Sequence, residues 1–179
     1  MNKVIVLISV LLPLGLLFVL GCGTSDSVSE KSIDPMLDVS AYLLPESPEG
    51  ALNIKAARES IKDNDAVVVV GRIGGGVNPW VDECAAFMIV DCSLLACSDN
   101  KEVGAHVSCP TPWDYCCETD KLPNAMAFVQ FSDEEGNVIR KDARELFDLK
   151  ELQTITVRGI AKRDDAGNLK IIADGLFVN

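Results

Sequence analysis

Apolar and polar positions divide this chain into stretches of different period. Val4 to Leu20 is apolar apart from Ser9, Pro13 and Gly15, and it follows a single basic residue, Lys3. The run falls short of the ~20 residues of a membrane-spanning helix and predicts a secretory signal over 1–21. Small polar residues without period then predict a flexible tether over 22–48, with Met36, Leu37, Tyr42, Leu43 and Leu44 placed to touch the folded part. From Asn53 to Lys62 the spacing turns helical. Ile54, Ala57 and Ile61 form one stripe, Asn53 can cap the start, and Asp63-Asn64-Asp65 ends the helix. Ala66 to Ile73 is a β-branched run and predicts a first strand; Ala85–Val90 predicts a second and Ala125–Phe131 a third. Asp142 can cap a brief helix ending near Phe147. Gln153–Lys162 and Leu169–Val178 predict a fourth and fifth strand around an Asp164–Asn168 turn.

That order predicts a mostly β domain over 49–179: a five-stranded OB-like barrel with an N-terminal helix and a short helix between strands three and four. A cysteine-rich insertion over 92–124 lies between strands two and three. The residues Ala56-Ala57 to Gly71, with Thr154-Ile155-Thr156-Val157-Arg158-Gly159 and Leu169-Lys170-Ile171-Ile172-Ala173, resemble the periplasmic OB-fold proteins of bacteria. The stretch Cys109-Pro110-Thr111-Pro112-Trp113-Asp114-Tyr115-Cys116-Cys117 resembles that of uncharacterised bacterial lipoproteins, which implies no activity.

Charge changes the picture mainly by exclusion. The net charge is −11, too acidic for a polyanion partner, since nucleic-acid affinity comes largely from cationic neutralisation of phosphates. Val19-Leu20-Gly21-Cys22 resembles the lipobox of bacterial lipoproteins. The resemblance implies that Cys22 becomes the acylated (palmitate-bearing) amino terminus, anchoring the protein in the cell envelope. Gly23 in place of Asp implies no retention at the inner membrane, hence an outer-membrane anchor on the periplasmic side. Seven cysteines is an odd number for an exported chain, and assigning Cys22 to the lipid leaves an even set.

That set, Cys84, Cys92, Cys97, Cys109, Cys116 and Cys117, is expected to form a disulfide framework stapling the insertion. If the second strand is extended, eight steps of about 3.3 Å hold Cys84 and Cys92 roughly 26 Å apart, too far to bond. The neighbours Cys116 and Cys117 are expected to reach different partners. The alternative is a metal site in which His106, Cys109, Cys116 and Cys117 bind zinc or copper, although the spacing is not that of paired C-x-x-C motifs. No C-x-x-C marks a redox centre. Thr111–Asp114 predicts a type I turn, and Trp113 and Tyr115 are expected to cover the sulfurs and shield a small core.

No other constellation points to catalysis. Gly71-Arg72-Ile73-Gly74-Gly75-Gly76 satisfies neither phosphate-loop pattern and predicts a bend in a barrel strand. There is no nucleophile elbow, and His106 is the only histidine. The expectation is a non-enzymatic binding or interaction module without a cofactor, its partner an envelope protein or small ligand. OB barrels take ligands on strands two and three, and Asn78, Trp80, Trp113 and Arg163 are the expected rim of that face.

Overall fold

The computed structural model describes residues 38–100 and 109–179. Cys22, the signal stretch and His106 lie outside the described residues. Alternation in the strand stretches becomes one sheet: β1 (Leu52–Asn53), β2 (Ala66–Ile73), β3 (Ala86–Val90), β4 (Met126–Phe131), β5 (Thr154–Arg163) and β6 (Leu169–Val178). Two short helices join them, α1 (Ile54–Ser60) and α2 (Ala143–Phe147). The sheet order is β1-β2-β3-β4-β6-β5, and β2 pairs back onto β5. This closes a five-stranded barrel, compatible with an OB-like fold, with β1 as one extra strand lying parallel on β2. All barrel pairings are antiparallel except β4 with β6, which are parallel from Phe128↔Lys170 to Phe131↔Ala173.

The barrel interior holds every second side chain. Val67, Val69 and Ile73 of β2 meet Phe87 and Ile89, Ala127, Val129 and Phe131, Ile155 and Val157, and Ile171 from the other strands. Burying a side chain of this size contributes roughly 1.5–3 kcal/mol. From α2, Leu146 and Phe147 join the same core, with the Phe147 and Phe131 rings 4.5 Å apart. Tyr42 adds an edge-on contact to Phe131 at 5.6 Å, and its backbone and that of Leu44 bond to Leu176. The apolar end of the expected tether therefore lies along β6. Gly159 sits at an irregularity between β5 and β6, where a Cβ would come within 2.2 Å of the Ile172 carbonyl oxygen. Only glycine fits that approach.

Helix α1 is short, and its ends are held from outside. Asn53 accepts the Ala56 N–H at 2.8 Å as the cap. Asp91, just beyond β3 and only 1% exposed, accepts the Lys55 N–H at 2.9 Å through one oxygen and the Ser93 N–H at 2.9 Å through the other. At the opposite end Arg163 donates to the carbonyls of Ala57 at 3.3 Å and Ile61 at 3.0 Å, and also to that of Arg58. An anion at the helix N-terminus and a cation at its C-terminus both suit the helix dipole. Burial alone would raise the Asp91 carboxyl, but the Lys55 and Ser93 donors outweigh it and bring the group below its ordinary value.

Asp91→Ala is expected to cost about 1–3 kcal/mol, read as a lower urea midpoint at pH 7. Because the folded-state pKa is depressed, the carboxylate's contribution is complete above the unfolded value of about 3.9 and fades as pH falls through the lower folded value. The gap between wild type and variant should therefore narrow on acidification. An unchanged gap near pH 2 would contradict the role given to the carboxylate.

Candidate functional site

The insertion docks where β2 runs into its glycine bend. A Cβ on Gly74 would lie 2.7 Å from the Trp113 carbonyl oxygen and 2.9 Å from Tyr115 Cε2, so the absent side chain makes room for the insertion. Tyr115 is fully buried and packs with Val90, Leu94, Ala96, Leu122 and Ala125 in a second, smaller core. Its hydroxyl has no partner among the described residues, and burial pushes its pKa up to about 12. The indole N–H of Trp113 donates to the Val77 carbonyl at 3.0 Å, tying the insertion to the loop after β2. Arg72 supplies a further clamp, donating to the Leu152 carbonyl at 3.0 Å and pairing with Asp99.

Within the insertion, Asp114 N–H donates to the Thr111 carbonyl at 2.9 Å, closing the turn expected there. Cys97 N–H donates to the Asp114 carbonyl at 2.7 Å, and Ser98 N–H to that of Pro112 at 3.0 Å. These two bonds lay the 97–98 backbone against the proline-rich turn. As a result the Sγ atoms of Cys97, Cys109 and Cys116 all lie within 4.8 Å of one another, Cys97 and Cys116 only 2.9 Å apart. Burial, then the hydrogen bond with Cys116, pushes the Cys97 thiol up to about 12. Backbone hydrogen bonding at Thr111 draws the Cys109 thiol below its ordinary value.

The six cysteines expected to form a disulfide framework divide into a cluster and two outlying residues. No disulfide joins any two of the described cysteines. Cys84 and Cys92 flank β3, as expected, and neither belongs to the sulfur cluster. Cys84 is buried beside Arg140, whose Nη1 reaches its Sγ at 3.5 Å, and its carbonyl accepts the Ala143 N–H. Cys92 is exposed. The expected metal set is met in part among the described residues, His106 lying outside them. Cys109 and Cys116 converge, and among the described residues Cys97 joins them; Cys117 stands beside Cys116, their sulfurs 4.0 Å apart. Nothing in the spacing of Cys97 announces this, since backbone bonds between distant residues bring it in.

Of the expected ligand rim of Asn78, Trp80, Trp113 and Arg163, Arg163 lines a groove over the outward barrel face, and all four make contacts within the fold. Trp80 is a core residue, its ring 5.5 Å from Phe87 and its indole N–H on Glu151 at 2.6 Å. Asn78 accepts the Trp80 N–H, Trp113 is tied to Val77, and Arg163 is committed to the end of α1. The outward face of β3 and β4 is also lined by other residues. Met88 pairs with Phe128, Phe128 with Lys170, and Lys170 with Lys162, giving one row across four strands. Two adjoining grooves of about 370 and 250 Å³ run over it, sharing Phe128, Asn168 and Leu169; Pro123 of the insertion and Met126 line the second. The Lys162 ammonium donates to Asn64. Alternation along Ala125–Phe131 carried the signal: Phe128 falls on the face opposite Ala127 and Val129.

Fold and site together define a small, mostly β protein, a closed barrel carrying a docked insertion in which three thiols meet. No protein-family model matches the chain, and a search of curated proteins returns no relative.

Thiol reactivity should follow this packing. In the reduced, chelator-treated native protein, an alkylating reagent should label Cys109 well ahead of Cys97 and the buried Cys84, resolved by peptide mass spectrometry. Equal native rates for these three would contradict the geometry described.

Proposed function

We propose that this protein is an extracytoplasmic lipoprotein, anchored through Cys22, that acts as a non-enzymatic binding module with an OB-type barrel. The observation that carries the binding role is the outward row Met88, Phe128, Lys170 and Lys162, with its two grooves over β3 and β4. OB barrels take their ligands on the corresponding strands, beside the turn that here spans Asp164–Asn168. An apolar floor of Met88, Met126 and Phe128, bordered by Lys162, Lys170, Arg58 and Arg163 against the single acid Asp164, suits a ligand that combines an apolar body with negative charge. Such a ligand is a small solute or a segment of an envelope protein. The lipobox-like Val19-Leu20-Gly21-Cys22 and the likeness of the barrel strands to periplasmic OB-fold proteins support the address.

Two measurements test this reading. Metabolic labelling with palmitate in a bacterial host should mark the wild type and leave Cys22→Ala unmarked; an unacylated protein in the cytoplasm would end the proposed address. A photo-crosslinking residue at position 128 should give a discrete adduct in the envelope, whereas one at the exposed Glu134 should not. Lys170→Glu should weaken that adduct, a loss of roughly 1–2 kcal/mol of binding. Equal crosslinking at both positions would show that the β3–β4 face is not the binding surface.

A further inference from the structure

Three sulfurs from separated points in the chain meet at one place, and a disulfide would employ only two of them. We propose that Cys97, Cys109 and Cys116 form a binding site for a thiophilic d¹⁰ cation, zinc(II) or copper(I). Thiolates are the soft donors that select these ions. With a zinc–sulfur bond of about 2.3 Å, sulfurs at neighbouring corners of a tetrahedron stand about 3.8 Å apart. The three sulfurs lie between 2.9 and 4.8 Å from one another, so that a cation settling among them requires side-chain shifts of only about an ångström.

The donors are held before any ion arrives. Cys97 is locked to Asp114 and its neighbour Ser98 to Pro112, while Cys109 Sγ lies 3.4 Å from the Thr111 carbonyl oxygen across a turn stiffened by Pro110 and Pro112. Tyr115 at the base of the turn is anchored in its own apolar core. Cys97 is buried, Cys109 half-buried and Cys116 exposed, so the site has a closed floor and an open mouth. Among the described residues three sulfurs converge, which leaves the fourth tetrahedral position to water or a further side chain. Binding converts three S–H groups to thiolates and releases their protons to the buffer; copper enters already as copper(I), and no electron is transferred. The overall net charge of −11 favours the approach of a cation.

The site is separate from the β3–β4 face, and its failure would leave the binding role of that face standing. The test uses the full mature chain, reduced and kept anaerobic, with cobalt(II) as the optical probe. One equivalent should produce a thiolate-to-cobalt charge-transfer band, and zinc(II) or copper(I) should bleach it; the stronger competitor identifies the preferred ion. Cys97→Ser, Cys109→Ser and Cys116→Ser should each weaken binding by more than about tenfold, while Cys84→Ser and Cys92→Ser keep the wild-type affinity. Cys116 is exposed, so its variant keeps the fold even if Cys97→Ser does not. Wild-type affinity in Cys116→Ser, or no charge-transfer band in the wild type, would overturn the proposal. So would mass spectrometry of envelope-derived protein showing a Cys97–Cys116 disulfide throughout the population.

Discussion

The pairing of β2 with β5, unbroken from Ala66↔Ile160 to Arg72↔Thr154, is the constraint on which the molecule rests. It turns an open sheet into a closed barrel and removes the free edges that would otherwise seek another chain. Strand β2 also carries β1 and β3, so four of the six strands meet along one segment of chain. Its far end supplies Arg72, which clamps Asp99, and runs into Gly74, which receives Trp113 and Tyr115. The insertion is thus seated on the strand that closes the barrel, and the geometry of its sulfurs inherits that rigidity.

Charge is spent largely on structure. Asp91 and Arg163 hold the two ends of α1, and Arg58 beside them donates to the carbonyls of Met126 and Gly167. Burial and then the neighbouring Arg163 lower the Arg58 pKa, as expected for two guanidiniums that both donate to the Gly167 carbonyl. An arginine at the rim of a groove is therefore not automatically a ligand-binding group. Here the cations along the outward row are lysines, over a floor of methionine and phenylalanine.

The two sites share a support. Pro123, in the 3-10 turn Leu122–Asn124 that ends the insertion, lines the groove over β4, and Leu122 of the same turn packs in the small core with Tyr115. The backbone that gathers Cys97, Cys109 and Cys116 therefore continues into the wall of the β3–β4 face. Tyr115 closes this core with a buried hydroxyl that has no partner among the described residues, a cost accepted where the ring's apolar area dominates.

Local pattern alone determined the strands, the caps Asn53 and Asp142, the turns at 111–114 and 164–168, and the order that predicts a closed barrel. Each of these rests on residues a few positions apart, where periodicity and hydrogen-bonding chemistry are written directly into the chain. The same kind of reasoning separated Cys84 from Cys92, because a strand has a fixed rise. It could not find β1, whose two residues are too few to show a period. Only the tertiary structure decided that Cys97 joins Cys109 and Cys116, that Trp80 packs into the core and that Arg163 closes a helix. Those outcomes depend on which distant backbone carbonyls and side chains arrive at the same point, and that is set by barrel closure and the seating of the insertion, not by spacing along the chain.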